Sequence, residues 1–379
     1  MMHNIAFPRT CALRCGFLRA SLLALPLIAL YAWSPSGYAK TQQDTGSTVI
    51  SVRDKGAKGD GVHDDTAAFQ SAIDSLPSSG GTVTVPSGNY VIDAMRAINL
   101  RSNMVFQMAP DATLTAIANS SPRSHVIKVW NVSNVTITGG RIVGEREGHT
   151  GIGGEWGYGI NIESSHHVRV SNMHLSGCWG DGMWIGALGP NGHAKPSTDV
   201  VVDNIVSTGN RRQGLSIGPV DGVTITHSTF SNSHGTKPEA GIDIEPQEQG
   251  PASNITIDHC TVTGNHGTGM EIHDYVSHVT VKNSSFTGNN GYGLLTVDGA
   301  TQVIVVNNTM TDNGLVGLAI LGRSNQVQAT NNTLGNNSTR YPLQQNSALA
   351  RSSSFMQSRQ MQVDTTTREI TTSGNTYSQ

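Results

Sequence analysis

The chain has 379 residues, of which 13% are charged, 36% hydrophobic and only 5% aromatic, and it carries a formal net charge of −3 at neutral pH. A sparse, slightly acidic charge excludes a basic footprint and with it a nucleic-acid partner. Four cysteines are too few to read the chain as a disulfide scaffold.

Residues 1–39 carry Arg9, Arg14 and Arg19, then the apolar run "SLLALPLIALYAW", then small residues at Gly37 and Ala39. This is the pattern of a secretory signal peptide cut after Ala39, which predicts a secreted or periplasmic protein. The apolar run is shorter than the roughly 20 residues a membrane span needs, so no stable span is expected after cleavage. Removing it leaves 21 basic against 27 acidic side chains, and only Cys178 and Cys260, between which a single bridge is open.

Residues 50–92 predict a terminal cap. Asp65 or Thr66 is placed to N-cap a helix whose Ala68, Phe69, Ala72, Ile73 and Leu76 form an apolar stripe. "SSGG" ends it before the strand "TVTVPSGNYVI". Asp60, Asp64 and Asp65 read as turn and cap residues rather than as a metal site.

From residue 159 the chain repeats itself. Short segments open on Gly159, Gly182, Gly214, Gly241, Gly269, Gly293 and Gly317, at spacings of 23, 32, 27, 28, 24 and 24 residues. Between them recurs a second phrase, as in "HVRVSNMHLSG" and "NITIDHCTVTG". Each repeat holds two or three strands of four or five residues and no room for a crossover helix. Period-2 patterning at this repeat length predicts an all-β solenoid, a right-handed parallel β-helix with an N-terminal amphipathic capping helix, whose coils bury their apolar faces by stacking. A β-propeller would repeat every 40 to 50 residues or so. The solenoid is expected over residues 40–340, with 341–379 a tail or last coil. Asn172, Asn204, Asn283 and Asn307 fall at turns, where a left-handed backbone suits asparagine and its amide can stack from coil to coil.

Alternation assigns the faces. Ile160, Ile162, Met183, Ile185, Leu215, Ile217, Ile242, Ile244, Met270 and Ile272 point inward; Asn161, Glu163, Trp184, Ser216, Asp243, Glu245, Glu271 and His273 point outward. The last four gather on adjacent coils, since two positions along a strand span about 6.6 Å and neighbouring strands about 4.8 Å. Repelling carboxylates this close shift their pKa values or hold a cation, the alternative being a solvated acidic face. Asp181, Arg211 and Arg212 fall just before the strands beside this patch, and Trp184 offers a ring for sugar stacking. Insertions at 144–157 and 186–197 are expected to wall a groove across it.

"GAKGDGVHDDTAAFQSAID" followed by "GGTVTVPSGNY" resembles the opening of the pectate lyase superfamily, in the branch that groups rhamnogalacturonase-like and epimerase-like β-helices. The resemblance covers roughly residues 50–335 and implies a polysaccharide-active protein without specifying the reaction. "EPQEQ" with the coil after it is similar to the active-site region of alginate C5-epimerase-type β-helices. There the motif's Asp-Pro-His-Glu falls on Glu245, Pro246, Gln247 and Glu248, so Gln247 replaces the catalytic His and leaves His273 to act as base. The galacturonan hydrolase elements, a Gly-His-Gly and paired Asp-Asp, are missing.

The residues therefore predict an enzyme of lyase or epimerase type on an acidic, uronate-containing glycan. Asp243, Glu245, Glu271 and His273 are its expected catalytic residues, and Asp181, Trp184, Arg211, Arg212 and Glu248 its expected substrate contacts. Asp243, Glu245 and Glu271 offer oxygen ligands for Ca2+. A glycoside hydrolase using paired carboxylates, and a glycan-binding or structural solenoid without turnover, are the alternatives.

Overall fold

The computed structural model describes residues 48–341 and 353–378; the expected signal peptide lies outside them. Three parallel sheets, which we call A, B and C, contain twelve, twelve and ten strands. Each coil of this right-handed β-helix contributes one strand to each sheet in turn, except that the first and last described coils have none in C. One coil, for example, runs Val220–Thr226 in A, Thr229–Ser231 in B and Ile242–Ile244 in C. The predicted register holds: Leu215, Ile242, Met270, Leu294 and Leu318 pair in one column and Ser216, Asp243, Glu271, Leu295 and Ala319 in the next. All the inward residues predicted from Ile160 to Ile272 have no exposed surface. Continuous stacking is what lets so thin a layer of Ile, Val and Leu close a core.

The turns explain the asparagines. Asn172, Asn204, Asn283 and Asn307 adopt φ of 56°, 52°, 50° and 57°, the left-handed region that Asn tolerates better than most residues. Asn204 donates its amide to Asn172 at 2.8 Å, whereas Asn283 donates to Asp258. A second, buried ladder was not anticipated. Asn265, Asn289, Asn313 and Asn337 pass an amide hydrogen bond from each to the next at 2.9, 3.0 and 2.8 Å, ending on Gln360 at 2.7 Å. The recurrent glycines belong to the same packing: a Cβ on Gly241 would lie 2.7 Å from Asn265 Nδ2 and 2.8 Å from the Gly269 carbonyl oxygen.

A helix spans Thr66–Asp74 and buries Phe69, Ala72 and Ile73. Its N-cap geometry departs from expectation, because Asp65 makes no cap bond and instead accepts from the Lys58 and Gly59 amides at 2.6 and 3.0 Å. Asp64 binds Thr66 and Arg96, and Asp60 binds its own turn, so none of the three acids faces a shared ion. At the other end the sheets run past residue 340: Met361–Val363, Thr371–Ser373 and Thr376–Ser378 add strands to C, A and B. Cys178 and Cys260 are buried and free, so the open bridge does not form. Among the described residues no helix is long and apolar enough to cross a membrane.

Candidate active site

The outer face of sheet C gathers the predicted residues, but not as a solvent-facing patch. Asp181, Gln213, Ser216 and Asp243 have no exposed surface, and Arg212 is 8% exposed. The reason is that long side chains and the insertions fold back over the sheet. Arg212, leaving the turn before Leu215–Ile217, pairs with Glu245, lies 3.3 Å from Asp181 Oδ2 and 3.5 Å from Glu155 Oε2. Glu155 comes from the 144–157 insertion, so that loop is tied down by the arginine.

From Arg212 a single network runs along the face. Arg212 donates to Gln213 Oε1 at 2.7 Å, Ser216 Oγ donates to Asp181 Oδ2 at 2.8 Å, and Gln213 Nε2 donates to Asp243 Oδ2. On the next coil His273 Nε2 lies 3.3 Å from Asp243 Oδ1 and 3.2 Å from Glu271 Oε2. Its other ring nitrogen stands 3.8 Å from Asp298 Oδ2. Burial pushes Asp181 up to about 7 against the pull of Arg212, and pushes Asp243 up to about 6. Burial alone would favour neutral His273, but the Asp243 and Glu271 carboxylates win and raise it to about 11. His273 is therefore a cation near neutral pH, which reverses the role of base expected for it.

Beside the network opens a cleft of about 400 Å³, walled by Glu155, Trp156, Tyr158, Trp184, Arg212 and residues 245–249. Asn191 closes it from the 186–197 insertion and donates to Glu248 at 3.1 Å. Both predicted insertions thus reach the cleft. Trp184 lies over Gly186 and Gly218, where any Cβ would come within 2.6 and 2.8 Å of the indole, and it stacks on Tyr158 at 5.9 Å.

Several expectations are corrected. Asp243 is not a reachable catalytic group; with no exposed surface it can position His273 but cannot touch a glycan. Glu271 and His273 keep 13% and 24% of their side chains exposed. Arg211 does not face the acids. It stacks on Trp179 at 3.8 Å and donates to the carbonyls of Gly154 and Trp179. Arg212 is 8% exposed and ion-paired with three carboxylates, and its Nε, which makes no hydrogen bond, is buried beside Glu155, so it presents little of its guanidinium to a uronate. The acids expected to share Ca2+ do not converge either, because Glu245 turns to Arg212 and the atoms within 4.8 Å of one another belong to Asp243, Glu271 and His273. Two oxygen donors and an imidazole do not fit an ion that takes six to eight oxygens.

Sequence reasoning missed Glu155, Trp156 and Tyr158 as site residues. The first two sit in the "GEREGHTGIGGEWG" excursion, whose length was the available signal. Tyr158 has the parity of the inward Ile160 and Ile162 yet stacks on Trp184, so alternation did not reveal it.

A family model described as the right handed beta helix region matches residues 87–249 and 193–334. The chain is 31% identical over 220 residues to the uncharacterized protein YclG of Bacillus subtilis (strain 168), covering 52% of this chain and 38% of that protein. It is 27% identical over 189 residues to plasmin and fibronectin-binding protein A of Streptococcus pneumoniae (strain ATCC BAA-255 / R6), covering 49% of this chain and 21% of that protein. It thus spans well under half the length of these curated relatives. Among solved structures, the A-module of the Azotobacter vinelandii mannuronan C-5 epimerase AlgE6 shares the fold, with a TM-score of 0.62 at 19% identity over 76% of this chain and 77% of that one.

Proposed function

This chain belongs to the right-handed β-helix family, and we propose that it is a polysaccharide-active member that takes an acidic, uronate-containing glycan along the outer face of sheet C as a lyase or epimerase. One observation carries this reading: hydrogen bonds from Arg212 through Gln213 to Asp243, continued by the Asp243–His273 ion pair, link an aromatic-walled cleft to a cationic imidazole held between carboxylates. Trp184, partly exposed and backed by the buried Tyr158, offers an apolar ring to sugars, and His273 offers the positive charge that a uronate carboxylate seeks.

In β-elimination or C5 epimerisation the proton beside the sugar carboxylate is removed, and the charge that develops on the carboxylate must be met by a cation. His273 is placed to supply that charge, and Glu271, the reachable carboxylate beside it, to accept the proton. Asp243, held by Gln213, fixes the imidazole between them. The likeness to a mannuronan C-5 epimerase module accords with this reading at the level of fold. Paired-carboxylate hydrolysis fits less well, because Asp243, common to both expected pairs, has no exposed surface from which to reach a glycosidic bond.

A second reading is a glycan- or protein-binding solenoid without turnover, favoured by the saturation of Arg212 and by the relative named for binding plasmin and fibronectin. Incubation with a panel of uronate polymers separates the two. Ultraviolet absorbance from unsaturated ends marks a lyase, a changed proton NMR spectrum without chain cleavage marks an epimerase, and new reducing ends alone mark a hydrolase. Retention on an immobilised polymer with none of these establishes the binder and removes the enzymatic reading.

A further inference from the structure

We infer that Asp243, Glu271 and His273 form a site for a borderline divalent metal ion of the Zn2+ or Co2+ class, distinct in donor chemistry from a Ca2+ site. Their ligand atoms Oδ1, Oε2 and Nε2 lie within 4.8 Å of one another, with the imidazole 3.3 and 3.2 Å from the two oxygens. Tetrahedral bonds of about 2.0–2.1 Å place neighbouring ligands roughly 3.3 Å apart, so both separations to the imidazole already match, and the two oxygens, within 4.8 Å of each other, need only turn in toward a shared ion.

The second observation is Asp243 itself. Its side chain is wholly buried, Oδ2 is taken by the Gln213 amide, and Oδ1, on the side of Glu271, makes no well-formed hydrogen bond and has only the long ion-pair contact to His273 Nε2 at 3.3 Å. A buried carboxylate oxygen so weakly served is costly, and an ion between it, Glu271 and His273 would satisfy it. The surroundings also match a metal centre: Gln213 orients Asp243, and Asp298 stands behind the far ring nitrogen of His273 at 3.8 Å, where ligating histidines usually meet a carboxylate or carbonyl.

Charge favours the same class of ion. A dication with two carboxylates and a neutral imidazole sums to zero, which suits a buried site, and an imidazole ligand favours Zn2+, or Co2+ in its place, over Ca2+ and Mn2+. Three protein ligands leave a position open toward the partly exposed side of Glu271 and His273, where a sugar oxygen could bind. In this role the ion would supply the positive charge otherwise carried by His273. The assignment rests on reading the outer face of sheet C as the working face, and its test measures metal binding apart from turnover.

The test uses the full chain stripped with chelator and titrated with Co2+, followed by visible ligand-field absorption, and with Zn2+, Mn2+ and Ca2+ by calorimetry. The expected result is one Co2+ or Zn2+ per chain. His273→Ala should weaken it at least a hundredfold, Asp298→Asn about tenfold, and His278→Ala, an exposed histidine on sheet A, not at all. Because Asp243→Asn risks misfolding at so buried a position, Glu271→Gln is the second ligand variant and should also weaken binding a hundredfold. No uptake of any of these ions, uptake unchanged in His273→Ala, or uptake of Ca2+ or Mn2+ alone overturns the site. Metal uptake without any action on uronate polymers would keep the site and sink the proposed function, and the converse would do the reverse.

Discussion

Two buried polar columns run through the same solenoid, and they are built to opposite standards. In the ladder of Asn265, Asn289, Asn313 and Asn337 every amide both donates and accepts, and each also donates to a core-strand carbonyl such as Val262 or Phe286. On sheet C, buried atoms of Asp181, Trp184, Arg212 and Asp243 are left without hydrogen-bond partners. Satisfied polar groups stabilise and specify a fold; unsatisfied ones cost free energy and persist where something else completes them. The contrast sets the outer face of sheet C apart from the satisfied ladder.

The sharpest way to break this contrast is to damage the satisfied column. Asn313→Ala strips a donor and an acceptor from Asn289 and Asn337 and leaves the Phe286 carbonyl without its amide. A loss of about 3–5 kcal/mol is expected in urea unfolding, with turnover per folded molecule unchanged. A loss under about 1 kcal/mol would show that the ladder does not hold the coils together.

The converse change is Glu271→Gln, which should leave urea stability within about 1 kcal/mol and lower turnover on the responsive polymer at least a hundredfold, about 2.7 kcal/mol of barrier. Stability lost together with activity would place Glu271 with the ladder instead.

A third test concerns Glu163, which burial pushes up to about 7 despite Asn161, Arg123 and Lys128 nearby. An acid whose folded pKa is raised binds its proton more tightly when folded, so its contribution declines as pH rises from about 4.5 to about 7. Glu163→Gln removes that decline. After allowance for its partial exposure, it should raise stability at pH 8 by about 2 kcal/mol and change it little at pH 4.5. Parallel stability curves for the two proteins would remove the claim. Smallest in effect, Trp184→Ala should weaken glycan retention about tenfold, roughly 1.4 kcal/mol, without moving the thermal midpoint by more than a few degrees; unchanged retention would take the platform out of the cleft.

The sequence told where each side chain leaves the backbone, and little about what covers it. Strict alternation and a near-constant repeat made the columns through Ile242 and Asp243 legible to the residue. Burial of Asp243 and Ser216 was not legible, because it depends on Arg212, Gln213 and Glu155 folding across the face from another coil and from an insertion. For the same reason Ser216, outward by parity, is no neutral position, since it holds Asp181. The buried asparagine ladder was hidden for a different reason: Asn265 and Asn289 lie in turn-rich phrases where asparagine needs no explanation beyond the turn.

The uniform coil has a consequence for how such a protein can change over time. Between Gly269 and Gly317 the repeat is 24 residues, and each coil meets its neighbours through the same backbone pairings and the same asparagine step. One coil is thus a removable unit of height, about 4.8 Å. Duplicating or deleting a coil beyond Asp298 would lengthen or shorten the outer face of sheet C while leaving Glu155 through Asp298 in place. Gene-level gain and loss of coils then changes the length of that face, with the cluster of Asp243, Glu271 and His273 carried along unchanged.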